Sequence, residues 1–244
     1  MGSRASGASD DVVDGLLVVA ELGAAVDLVV GGLAALFSSP VRRPDPEATM
    51  QQLASGFERL LKLTFIQASL HQLGERPSGD RMARSYRHNL LPLTDDLVEL
   101  TSIVPVYANR PIVKDDLAFI RSDSGLRKLL EILGHFGQGG RYSNLDGLLD
   151  PSKIDPDSEP RRQWSEVETQ LVMARPDWEE VAETPKLEAV LTFEVAGRLQ
   201  RFGRALAFMW TLGALGDGGS RHSASLGPLL RVRDEQLGVG APKR

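Results

Sequence analysis

Between residues 81 and 88 the chain reads RMARSYRH, placing Arg81, Arg84, Arg87 and His88 directly before the leucine-rich run NLLPLTDDL. Arginine is a permanently charged fork that matches phosphate oxygens, and histidine titrates closest to neutral pH. Cleavage of RNA by its own 2′-hydroxyl needs both: positive charge against the phosphorane and a group that moves a proton. A histidine at a helix N-terminus also feels the helix dipole, which favours its neutral form. From Glu75 to His88, four arginines face two acids, a local positive excess in a chain of net charge −5. The plainer reading of the same residues is that His88 caps or packs against a neighbouring helix and the arginines are solvated loop charge.

A second dense stretch, GHFGQGGRYSNLD at residues 134–146, offers glycines at 134, 137, 139 and 140. Glycine lets a backbone turn sharply or approach another group. Arg141 and Tyr142 would then present a cation and a stacking ring to RNA or a nucleotide, with Asn144 and Asp146 as polar partners. The stretch has neither the lysine and hydroxyl of a phosphate-binding loop nor a strand before it. Its plainer reading is a helix stop at Gly137, a turn, and Tyr142 tucked against the bundle.

Composition narrows the remaining chemistry. There is no cysteine, so disulfides, thiol catalysis and thiolate-ligated zinc are excluded. His71, His88, His135 and His222 are scattered, and Gly74 separates His71 from Glu75 on any one helix. No metal and no cofactor are expected. A net charge of −5 argues against a general polyanion binder, so nucleic-acid contact must come from a local patch. The apolar run DDVVDGLLVVAELGAAVDLVVGGLAALF is interrupted by Asp14, Glu21 and Asp27. A membrane span needs ~20 apolar residues with few charges. A cytoplasmic protein with no membrane association is expected.

Every long apolar pattern repeats with the helical period, and no alternating run is long enough for a sheet. The expectation is an all-α protein: an antiparallel helical bundle with an additional C-terminal pair of long helices packed on it. The first helix is predicted over 11–37. The second starts at Pro46 after Asp45 and stops at Gly74. It presents Met50, Leu53, Phe57, Leu60, Leu61, Thr64 and Ala68 as one apolar face. A third runs from the Asn89 cap to about Ile103. VPVYANRPIV is read as extended, because each proline disfavours helix in the residue before it. A fourth helix runs from about Asp115 to Phe136, with a break near Ser124. Further helices are predicted at 161–174, briefly near Trp178, and at 185–215, the last with Val190, Phe193, Leu199, Phe202, Leu206 and Met209 inward. The domain reading is a bundle over 11–150, C-terminal helices over 151–216, and flexible tails at 1–10 and 217–244.

The stretch FERLLKLTFIQASLHQLGERPSGDRMARSYRHNLLPLTDDLVEL resembles the central part of HEPN domains. There, a helix with a segment like ERLLKL is followed by a variable loop, a basic residue and a second helix opening like HNLLPL. The resemblance spans about residues 11–150 and is strongest over 57–100. It implies a helical bundle, often dimeric, and in many members a metal-independent endoribonuclease of toxin–antitoxin or antiphage systems. Carried over, Arg81 would stabilise the phosphate and His88 would act in proton transfer; Arg84 and Arg87 are expected as RNA contacts from the basic cluster itself. Six residues separate Arg81 from His88, at the edge of the family's spacing, and Met82 stands where the family often has a small polar residue. The resemblance further implies a homodimer with His88 near its axis. The alternative is a non-catalytic helical interaction module acting through a homodimer or a protein partner.

Overall fold

The computed structural model describes residues 4–38, 46–138, 159–183 and 186–242, and among these every regular element is helical. Among the described residues seven helices have twelve residues or more: α1 (Arg4–Leu36), α2 (Pro46–Leu73), α3 (Leu90–Ser102), α4 (Pro111–Ser122), α5 (Ser124–Gln138), α6 (Pro160–Met173) and α7 (Leu187–Thr211). The chain is an all-α helical bundle.

Helix α2 is the spine. Proline at its first position suits the helix start, and Gly74 at φ +77° ends it, its N–H donating back to the Leu70 carbonyl. The predicted apolar face is fully buried, from Met50 through Ala68. Helix α1 runs antiparallel to α2, because Gly32 meets Leu53 while Val29 meets Gly56. A Cβ at Gly32 would lie 2.7 Å from the Leu53 side chain, and one at Gly56 would lie 2.7 Å from the Val29 nitrogen. These glycines set the closeness of the two helices.

On the other side of α2 lie α3 and α5, antiparallel to each other. Arg127 on α5 donates twice to Asp95 on α3, at 2.7 and 3.0 Å, and Gln138 meets Asn89 at the far end. Helix α7 covers α2 and runs parallel to it. Phe202 stacks at a tilt on Phe57, 5.3 Å between centroids, and eight residues later Trp210 Nε1 donates to Thr64 Oγ1 at 2.9 Å. Helix α6 packs between α5 and α7, so the expected C-terminal pair is present.

One junction differs from expectation for a physical reason, and a second falls beside its predicted place. VPVYANRPIV is not extended. Val104 and Arg110 do have β-region backbones, as residues before proline should, but each proline then opens a helix: a turn at Pro105–Ala108, and α4 at Pro111 rather than near Asp115. The break after α4 falls at Asp123, whose Oδ1 accepts from the Leu126 N–H at 2.7 Å and from Arg198 Nε at 3.0 Å. One carboxylate thus caps α5 and ties it to α7.

The ends are more ordered than predicted. Helix α1 begins at Arg4, and residues 216–242 pack as short turns, with Leu226, Leu229 and Val232 buried. Arg204, itself buried, donates to the Val232 carbonyl and to Asp234, while Gln200 holds the Gly238 N–H and the Gly240 carbonyl. Beneath this strap Phe193 sits at the rim, 42% exposed, rather than in the core. Nearby, Asp116 is buried and accepts from Arg201 Nε at 2.9 Å, with its other oxygen unpaired among the described residues. Burial outweighs Arg201 and raises the Asp116 carboxyl above its ordinary range.

Candidate functional site

The arginine–histidine stretch forms a wound connection between α2 and α3. Ser78 caps a helical turn at Gly79–Arg81 by accepting from the Arg81 N–H, and a π-helical turn follows over Met82–Tyr86. Met82 and Tyr86, four apart, are its buried members, with Tyr86 edge-on to Phe65 at 5.4 Å. The turn closes with the Arg87 N–H donating to the Met82 carbonyl, and Arg87 is left at φ 45°, ψ −105°. It is the one non-glycine residue at positive φ among those described. Such strain recurs at functional sites and persists only where the surroundings over-determine it.

The surroundings here are glycines. A Cβ at Gly134 would lie 3.0 Å from the His88 carbonyl oxygen, and one at Gly137 would lie 3.2 Å from the His88 Cβ. Both glycines sit inside α5, so neither is the predicted helix stop. They let the His88 backbone lie flat against α5. Asn89, whose side chain caps nothing, is held instead by Gln138.

This pins His88 against α2. Its Nδ1 lies 2.8 Å from Glu58 Oε2, and Lys62 Nζ lies 2.5 Å from Glu58 Oε1. A carboxylate only accepts hydrogen bonds, so Nδ1 carries the proton and Nε2 is the ring nitrogen left for chemistry. The Glu58 side chain is 17% exposed and His88 41%, which puts the carboxylate beneath the imidazole and the imidazole at the surface. His88, Lys62, Arg87, Ala83 and Gln138 line one open cavity of about 430 Å³. Arg87 makes no ion pair with a described residue. The cavity therefore gathers two fixed cations and a carboxylate-backed histidine on a protein of net charge −5.

The other predicted residues are placed differently. Arg81 is not in the cavity lining; its guanidinium lies beside the Tyr86 phenol. Burial, the hydrogen bond that Tyr86 donates to Asp96 at 2.5 Å, and the Asp96 charge push that phenol up to about 12, against a smaller lowering by Arg81. Arg84 pairs with Asp80 at 3.3 Å on the exposed flank. Arg141 and Tyr142 lie outside the described residues. Glu58 and Lys62 are functional residues that the sequence reading does not single out; both lie off the apolar face of α2. Their signal was the four-residue spacing of opposite charges, which keeps both on one side of the helix.

No family model matches the chain, and the comparisons with curated proteins and with solved structures found no match.

Proposed function

We propose that this cavity binds single-stranded RNA and cleaves it without a metal, as the HEPN-like reading of the sequence anticipates. The observation that carries the proposal is His88 held by Glu58 at 2.8 Å in a cavity shared with Lys62 and Arg87. Of the arginines, Arg87 takes the phosphate-binding place that the sequence pattern gave to Arg81.

In the reaction His88 Nε2 accepts the 2′-hydroxyl proton as the 2′-oxygen bonds to phosphorus. The bond to the 5′-oxygen breaks, and that oxygen takes a proton from the solvent the open cavity admits. The products are a 2′,3′-cyclic phosphate and a free 5′-hydroxyl. Glu58 orients the ring and stabilises the imidazolium that forms, while Arg87 and Lys62 oppose the charge gathering on the phosphorane.

The test is cleavage of an unstructured RNA in EDTA. Wild-type protein should cut, His88→Ala should reduce cutting by ~100-fold or more, and Glu58→Gln by a smaller factor with folding intact. A 2′-deoxy substitution at the cut position should block it. Equal cutting by His88→Ala, or cutting of the 2′-deoxy substrate, overturns the mechanism.

A further inference from the structure

Helix α1 divides into two sides along its length. Val18, Leu22, Ala25, Val26, Val29, Val30 and Leu33 face α2 and the core. Over its earlier turns the outer side is also apolar: Val12 is 62% exposed, Leu16 66% and Leu17 63%, with Val13 and Val19 exposed beside them. These fall in two adjacent rows spaced 4–3–4, Val12, Leu16, Val19, Gly23 and Val13, Leu17, Ala20, Ala24, the spacing of a helix–helix seam. Nothing described lies within 4 Å of a Cβ at Gly23, so a second helix can approach closely there. The face amounts to on the order of 500 Å² of apolar surface, at the upper end of what monomers expose. Leu70 and Leu73, exposed in the last turn of α2, lie at the same end of the bundle. A standard interface takes ~800 Å² per partner, so the α1 face would supply the greater part of one.

Charge selects the occupant. Val12–Leu36 is long and apolar enough, by length and composition, to cross a membrane, but 44% of that window is already buried inside the bundle. No lysine or arginine occurs between Arg4 and Arg42, so a helix lying on anionic lipid would have no cation to hold it. A second copy meets no such obstacle. Within 12–24 the charges are Asp14, bound to Arg76 at 2.7 Å, and Glu21, bound to Arg59 at 3.6 Å, so a self-pairing face brings no bare like charges together.

We infer that two copies of this chain pair through the outer face of α1, antiparallel about a two-fold axis near Leu16 and Leu17. Closed two-fold pairing of one self-complementary patch is the commonest oligomeric solution. The dimer leaves each cavity complete in its own chain, since Glu58, Lys62, Arg87, His88 and Gln138 all come from one copy. It therefore differs from the His88-centred seam that the family resemblance implies.

Light scattering of the full chain should give the mass of two 26.5-kDa chains. Leu16→Glu with Leu17→Glu should weaken association by at least ~100-fold with unchanged circular dichroism, since both residues are exposed and the fold does not need them. Because the protein has no cysteine, Leu16→Cys supplies a unique thiol that should cross-link two chains on oxidation, whereas Ile103→Cys, exposed elsewhere, should not. A monomeric wild type overturns the inference, whether or not it binds phosphatidylcholine vesicles. So does a dimer that survives the double glutamate variant, or one that cross-links equally through residue 103.

Discussion

Replacing Arg87 with glycine should move stability and RNA binding in opposite directions. At φ 45°, ψ −105°, Arg87 stands outside the regions open to residues with a Cβ. Such a conformation costs ~1–3 kcal/mol. Glycine relieves it but gives up ~0.5–1 kcal/mol through its freer unfolded chain. The side chain is exposed, so no packing is lost, and the net expectation is a gain of about 0–2.5 kcal/mol. For a chain of this size each kcal/mol is worth about 2–4 °C in Tm. RNA affinity should fall, with the salt dependence of binding shallower by about one charge. Urea titration measures the first effect and binding of a 2′-deoxy-blocked RNA over a salt series the second. Arg87→Lys is the control: it keeps the strain and the charge, so stability should stay put. A less stable Arg87→Gly protein would show that the turn stores no strain. An unchanged salt slope would remove Arg87 from the site.

Three further outcomes follow from the buried polar groups. Thr64→Val leaves the Trp210 N–H buried without an acceptor and should cost ~1–3 kcal/mol by urea denaturation; a neutral result would mean that the bond contributes nothing. The folded pKa of Asp116 is raised above its ordinary 3.8, so its contribution is fully present below 3.8 and is lost as pH rises through the folded value. Wild-type stability relative to Asp116→Asn should therefore fall with rising pH from 3.8 upward, and a flat or rising difference would refute the assignment. With the Tyr86 phenol pushed up to about 12, Tyr86→Phe should leave the phenolate absorbance of the native protein unchanged below about pH 11. Loss of a step near 10 would contradict the burial argument.

How far the sequence carried these conclusions depends on whether the cause was local. The limits of α2 are legible because proline and glycine act on their own backbone, and its buried face because the 3.6-residue period is a property of one helix. The π-turn was hidden because Met82 and Tyr86, an apolar pair at helical spacing, are interleaved with arginines that dominate the composition. Gly134 and Gly137 looked like turn residues; their role is to admit His88, a contact between segments about fifty residues apart that no local pattern encodes. The same holds for Glu58. Nothing in ERLLKL announces that its first acid will meet a histidine thirty positions later, because that pairing is set by how α5 presses the connection onto α2.

The parallel docking of α7 on α2 also constrains how the chain acquires its structure. Thr64 and Trp210 are 146 positions apart. Bringing such ends together costs about 4 kcal/mol in loop-closure entropy before any contact repays it. Helical bundles built from neighbouring hairpins fold fast because their contacts are local; here the spine helix waits for the last long one. During synthesis α1 and α2 leave the ribosome before α7, with Phe57 and Thr64 lacking their eventual cover. The side of α2 opposite Glu58 and Lys62 is thus covered by a helix translated well after the residues that line the cavity.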